Sequence, residues 1–167
     1  IGERNMEIRK TKPEEASHVM RLYENARSFM AAHGNPSQWG TSYPQEDLIL
    51  RDISAGNSYV CEEHGNIIAV FYYKEGDDPT YARIFSGQWL NELPYGAVHR
   101  ITSDGTVKGT AGFCLDWAFR QCGNLKIDTH KDNHIMQHVL EKNGFTRCGI
   151  IFTEDGSERI AFQKAGQ

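Results

Sequence analysis

The sequence has little cysteine, little proline, no long apolar run and no surplus of positive charge, and each scarcity excludes a class of protein. Four cysteines in 167 residues, Cys61, Cys114, Cys122 and Cys148, form no C-x-x-C pair and are too sparse for a disulfide framework, so reduced thiols are expected. No stretch approaches the ~20 apolar residues of a membrane-spanning helix, and the N-terminus lacks the basic-then-apolar pattern of a secretory signal. No membrane partner is expected, and the cytoplasm is the simplest location. A formal charge of -4 supplies no basic stripe for neutralising phosphates, which argues against nucleic acid and leans toward a cationic small substrate. Residues 1–5 precede the first methionine and read as residues added ahead of the native start, as a flexible lead-in or as the end of a longer precursor. Residues 6–167 are then expected to form one domain, since 39% hydrophobic and 24% charged residues suit a single core at this length.

What is present is a regular alternation of strand and helix patterns. "MEIRK" is a short alternating strand. Thr11 and Glu14 follow in capping-box spacing, with Pro13 in the first turn, and open a helix whose Ala16, Val19, Met20, Tyr23, Ala26 and Met30 recur at helical spacing up to Gly34. Ser42 and Gln45 repeat the box ahead of a shorter helix stopped by Gly56. "SYVCEE" and "NIIAVFYYK" form a hairpin across "HG", the second strand being apolar on both faces as a central strand should be. Residues 75–96 are polar, aromatic and aperiodic, and read either as a long substrate-side loop or as a structural extension of the hairpin. "AVHRITS" is a further strand. The helix after it carries an apolar stripe of Ala111, Cys114, Leu115, Ala118, Phe119 and Cys122, ended by Gly123. "LKID", a helix with Ile135, Met136, Val139 and Leu140 inward, and a hairpin turned at Asp155 and Gly156 complete the chain. This order predicts an α+β fold of three layers, α/β/α, around a mixed, mostly antiparallel sheet with helices on both faces.

The loop "SDGTVKGTAG" joins a strand to a helix and is dotted with small residues. The first amides of a helix have no intrahelical acceptor, and the helix dipole turns its positive end to the same place. Gly105, Gly109, Ala111 and Gly112 let an anion approach the backbone, and Lys108 adds a charge. Glycines at such a place serve equally well for close helix packing, and the loop alone leaves both readings open.

Two separated motifs carry a resemblance that decides between them. The segment from Thr106 to Ala111 is similar to the Q/R-x-x-G-x-G/A pyrophosphate loop of the GNAT superfamily of acetyl-coenzyme-A-dependent N-acetyltransferases, matching at Gly109 and Ala111 and departing at Thr106. "DNHIMQHVLEKNGF" resembles the family's N-x-x-A-x-x-L-Y-E-K-x-G-F segment at Asn133, Glu141, Lys142, Gly144 and Phe145, with Leu140 where the family frequently has tyrosine. The resemblance implies that the backbone of Val107, Lys108, Gly109, Thr110, Ala111 and Gly112 holds the diphosphate of acetyl-CoA. It also implies that the strand at Ile101 and the side chain of Asn133 hold the pantetheine arm, and that an amine of a small molecule or peptide attacks the thioester directly in a ternary complex.

Such chemistry needs a base for the ammonium proton, an oxyanion donor and, less strictly, an acid for the thiolate. By the resemblance the oxyanion donor is a strand amide near Ile101. Leu140 cannot donate a proton, so another group or water must. His99 is expected on the same strand face as Ile101 and Tyr95 by period-two alternation, and an ordinary imidazole pKa near 6.5 suits a base; a hydrogen-bonded structural role competes with this reading. His130, just past "LKID", is the second candidate. His134 and His138 stand one helical turn apart without an H-E-x-x-H pattern, so no metal site is expected. Two other readings stay open: a non-catalytic acyl-CoA-binding module of the same fold, and a scaffold whose glycine loop only packs. Coenzyme A binding separates the scaffold from the others, and acetyl turnover separates the enzyme from the module. The acceptor amine and the oligomeric state, a homodimer included, are not legible in the sequence.

Overall fold

In the computed structural model residues 5–166 are described; residues 1–4, most of the lead-in segment, and residue 167 lie outside the described part. The elements follow the expected order: β1 (Met6–Lys10), α1 (Ala16–Ala32), α2 (Glu46–Ser54), β2 (Ser58–Glu63), β3 (Asn66–Glu75), β4 (Gly96–Ser103), α3 (Thr110–Cys122), β5 (Asn124–Thr129), α4 (His134–Lys142), β6 (Thr146–Phe152) and β7 (Glu158–Ala165). The seven strands form one sheet in the order β1-β2-β3-β4-β5-β7-β6, antiparallel throughout except for the β4–β5 pair.

Helix starts differ in detail from the sequence expectation. Pro13 opens a 3-10 turn over Pro13–Glu15 ahead of α1, and this extra turn moves the cap by one residue. Glu15, not Glu14, reaches back to accept from the Lys12 amide at 2.8 Å, while the Thr11 hydroxyl pairs with Ser58 Oγ at 2.8 Å. Gln45 caps α2 through its backbone conformation with no side-chain bond, so Ser42 and Gln45 make no capping box. Ile135, expected inward, is 53% exposed, because Met136, Val139 and Leu140 already fill the face that the nine-residue α4 turns to the core.

One face of the sheet is covered by α3 and α4: Val98, Ile101, Leu125, Ile127 and Phe162 pack with Cys114, Leu115, Ala118 and Leu140. A fully buried Leu125 or Phe162 contributes about 2 kcal/mol by leaving water. The other face has two separate covers. Helices α1 and α2 close on Val60 and Val70 through Val19, Tyr23, Ile49 and Ile53. The 76–95 loop closes on Ala97, Ile151 and Ala161 through Tyr81, Ile84, Trp89 and Tyr95. A seam stays open between the two covers.

Strand β4 runs beneath that seam and is irregular in two ways. It pairs with β5 only at Gly96↔Leu125 and Ala97↔Lys126, so the two strands part beyond Ala97. On its other edge the register with β3 slips between Val70 and Tyr72, with Arg100 at φ 51°. This is a β-bulge, which reorients side chains and leaves backbone groups outside the ladder.

The long loop is a structural cover as well as a site element. Phe85 exchanges two backbone hydrogen bonds with Ile150, at 2.8 and 2.7 Å, and the Gln88 amide donates to Cys148 O at 3.0 Å. That contact needs a residue without a side chain at Gly87, where a Cβ would stand 1.9 Å from Cys148 O. Gly87→Ala is therefore expected to lower unfolding stability by about 2 kcal/mol, as forced overpacking does, and to loosen the loop. Denaturant unfolding with hydrogen exchange at the Phe85 and Ile150 amides measures both; unchanged values would mean that the loop is not anchored there.

Candidate active site

Two cavities meet along β4. The first, about 1050 Å³, lies in the wedge where β4 leaves β5, walled by Ile101 to Gly105, Val107 to Phe113, the N-terminal half of α4 and the inner side of α1. Every residue expected to hold the cofactor, namely Ile101, Val107, Lys108, Gly109, Thr110, Ala111, Gly112 and Asn133, lines it. Gly109 caps α3 at φ 84°, a conformation that glycine reaches without strain, and a Cβ there would enter open space. The first backbone pair of this helix is Phe113 N–H to Gly109 O at 3.0 Å, which leaves the amides of Thr110, Ala111 and Gly112 without an intrahelical acceptor and turned to the wedge. Such an N-terminus fits a diphosphate. Thr106, the departure from the family loop, donates through its amide (3.0 Å) and hydroxyl (2.7 Å) to Asp104 Oδ1 and so shapes the turn.

The second cavity, about 930 Å³, is the seam on the opposite face, walled by the 37–43 loop, α2, Asp78, Thr80, His99, Arg100, Asp128 and Arg159. Met30, Ile101, Asn133 and Met136 belong to both walls, so the cavities adjoin there. The expectation that His99 and Ile101 share a face is corrected by the bulge. Val98 and Ile101 both pack toward α3, while the consecutive residues His99 and Arg100 both turn to the seam.

His99 is held tightly. Its Nε2–H donates to Asp78 Oδ2 at 2.7 Å, its ring stacks on Tyr81 with centroids 5.4 Å apart, and its Nδ1 faces Asp128 Oδ2 at 3.9 Å. Burial raises the Asp78 carboxyl, but the His99 hydrogen bond and charge and the Thr80 amide outweigh it, bringing the pKa down to about 2. Asp78 is then an acceptor only, which fixes the Nε2–H tautomer of a neutral ring and leaves the Nδ1 lone pair toward Asp128. The Tyr81 hydroxyl donates to Asp128 Oδ2 at 2.7 Å. Beside this cluster Arg100 donates to Asp52 Oδ2 at 2.7 Å and to the Tyr43 hydroxyl at 3.0 Å. Burial raises the Asp52 carboxyl even against that partner.

The structure does not bring His130 to this cluster. It lines neither cavity, and its Nδ1 accepts from the Asp132 amide at 3.0 Å, closing the turn into α4. Burial first, and the charge of Arg159 second, lower its pKa. Asn133 caps α4 by accepting from the Met136 amide at 3.0 Å, and its Nδ2–H donates to Gln38 Oε1 at 2.9 Å. Leu140 is fully buried in the α3/α4 core and lines neither cavity. Among the described residues no three His, Cys, Asp or Glu side chains form a metal-holding group, and no helix is long and apolar enough to cross a membrane.

Asp78, Asp128, Tyr81 and Arg159 were not singled out in the sequence. Only Asp128 left a trace there, as a charged residue alternating with Ile127 on "LKID". The Asp78–His99 pairing spans 21 positions and depends on how the loop returns.

No family model and no curated protein matches the sequence. Among solved structures, a GNAT-family acetyltransferase from Streptococcus agalactiae superposes with a TM-score of 0.88 at 31% identity, covering 97% of this chain and 96% of that one. The chain belongs to the GNAT acetyltransferase family. More distant structures share the fold: a GNAT-family acetyltransferase from Listeria monocytogenes (TM-score 0.68, 14% identity, 95% and 94% covered) and Salmonella typhimurium yncA, solved with its cofactor acetyl-CoA (0.66, 14%, 98% and 95%). In this GNAT chain the glycine loop lines the first cavity, and the position where the family frequently has tyrosine holds the sealed Leu140.

If the loop cradles a diphosphate, Gly109→Glu should abolish coenzyme A binding while the protein stays folded, since it strains φ 84° and puts a like charge into the wedge. Titration calorimetry reads this directly, and unchanged affinity would remove the cradle.

Proposed function

We propose that the protein is an N-acetyltransferase that moves an acetyl group from acetyl-CoA to an amine bound in the seam, with His99 as general base. The observation that carries the reading is the Asp78–His99–Asp128 cluster, set on the acceptor side of a strand whose other side faces a wedge fitted to the cofactor. When bound, acetyl-CoA supplies the thioester carbonyl and the thiolate leaving group. The open helix N-terminus supports the placement of its diphosphate, and the backbone of β4 beyond Ala97, unpaired on the β5 side, supports that of its pantetheine arm.

The residues divide the work by their charges. An amine near neutral pH arrives as ammonium, and Asp128, tied to Tyr81, offers it a carboxylate beside the His99 Nδ1 lone pair. His99 takes the proton through Nδ1, and the ionised Asp78 on Nε2 stabilises the imidazolium that results. The freed amine would attack the thioester carbonyl, and backbone amides of the bulge around Arg100 and Ile101 would donate to the developing oxyanion. A thiolate is a good leaving group, so the reaction does not require an acid at Leu140. The sealed Leu140 is also what favours the second reading, a binding module without turnover.

His99→Gln keeps size and hydrogen bonding but removes basicity. Turnover with amine acceptors is expected to fall roughly 100-fold at neutral pH and to recover in part as pH rises toward the acceptor's own pKa, with coenzyme A affinity hardly changed. Steady-state kinetics from pH 6 to 10 on the two proteins make the comparison. Normal turnover per folded molecule would make His99 structural, and no turnover in wild type with intact coenzyme A binding would select the module.

A further inference from the structure

Arg159 is the one strongly buried cation on the seam wall whose partners are all neutral. The residue is 8% exposed and stands second in β7. Its Nη2 donates to Gln38 O and its Nη1 to Ser157 Oγ, both at 2.7 Å. No carboxylate among the described residues comes within 4.0 Å of it. Asp155, the acid whose titration its charge reaches, spends Oδ1 on the Thr153 hydroxyl and the Ser157 amide. The other two arginines of the wall are matched: Arg100 by Asp52, and the exposed Arg51 by Asp47. A guanidinium has five N–H donors in a planar fork suited to a carboxylate, and burying one with most donors unspent is costly without a counter-charge.

Its position relative to the base follows from the sheet register. Ile160 packs toward α3 and α4 while Ala161 packs under the loop, so Arg159 stands on the same sheet face as Ala161. Asp128 is the cross-strand partner of Ala161. Two residues along β7 then put the Cα atoms of Arg159 and Asp128 about 8 Å apart by ordinary strand geometry. The seam thus presents two carboxylates around His99 and, two residues along β7 from the cross-strand partner of Asp128, a guanidinium with no carboxylate among the described residues within 4.0 Å.

We infer that the acceptor is a small molecule carrying both an amine and a carboxylate a few bonds apart, an amino-acid type of substrate, with Arg159 as the carboxylate subsite. This rests on the acetyltransferase reading for the amine end only. A guanidinium on a substrate carboxylate makes a charge-assisted, two-pronged contact, and a matched amide cannot replace it. The opposite arrangement, a diamine whose second ammonium meets Glu154 or Asp155 at the hairpin tip, would leave Arg159 facing a positive charge.

The test uses matched acceptors: free amino acids with one to four carbons between amine and carboxylate, their primary amides, and diamines of equal length. Each is assayed for acetyl transfer from acetyl-CoA and, separately, for stabilisation of the cofactor-free protein in thermal unfolding. Wild type should prefer a free acid over its amide by roughly 10- to 100-fold in kcat/KM, the size expected of a hydrogen-bonded charge. Arg159→Gln should erase that preference by raising KM for the acid and leave the amide within about threefold; Arg159→Lys should keep part of it. Transfer to amines without preference for the acid, preference for diamines, or equal loss on acid and amide in Arg159→Gln would overturn the subsite while leaving the transferase standing. If no acceptor is acetylated, the transferase reading fails instead. The subsite then stands or falls on whether free acids, and not amides, raise the wild-type unfolding temperature and lose that effect in Arg159→Gln.

Discussion

Everything in the candidate site depends on one constraint in the backbone of β4, which must belong to a sheet at one end and leave it at the other. Up to Ala97 the strand is fully paired, with β3 on one side and β5 on the other. Beyond Ala97 it keeps only β3, and even there it slips register at Arg100 and Ile101. Backbone groups in a protein interior have to be satisfied, so a strand that gives up a neighbour leaves places for other hydrogen-bonding groups. The wedge and the cavity in it are one result of that departure. The bulge adds a second: by undoing the alternation for one residue it sends His99 and Arg100 to the seam and returns Ile101 to the core side.

The electrostatics of the seam follow from what the two covers contribute. Helix α2 brings Asp52, which neutralises Arg100. The 76–95 loop brings Asp78 and Tyr81, and β5 brings Asp128. His99 lies between the two carboxylates, one hydrogen-bonded and one just beyond reach, an arrangement that can hold a neutral imidazole in one tautomer and stabilise a protonated one. The depressed Asp78 has a stability consequence with a definite sign. Its folded pKa, about 2, lies below the ordinary carboxylate value, so its contribution is present above about pH 4 and is lost as pH falls through that window.

The long loop shows why structural and functional roles need not be separated. Its middle docks as an extra bridge on β6, its aromatic residues bury the far half of the sheet face, and its first turn delivers Asp78 to His99. Anchoring at Phe85 and Gly87 is what lets an irregular segment hold a carboxylate within hydrogen-bond distance of a strand residue 21 positions away.

The sequence by itself determined the number, kind and order of the elements, because periodicity and turn residues are local quantities: the stripe of α3, the two-sided apolar β3 and the glycine stops all stand as read. It also determined the glycine loop, whose open amides follow from being the first turn of a helix. Where local rules compete with an inserted turn, a crowded helix face or a bulge, the reading went astray: the α1 cap moved from Glu14 to Glu15, Ile135 turned outward, and His99 parted from Ile101. Only the tertiary structure decided the surroundings of the two candidate histidines, setting His130 to close a turn and His99 between Asp78 and Asp128. Arg159 likewise owes its surroundings to the register of β7 against β5 and to Gln38, on a loop 121 positions away. Charge pairing acts across a few ångströms of space whatever the separation along the chain, and no spacing in the sequence encodes it.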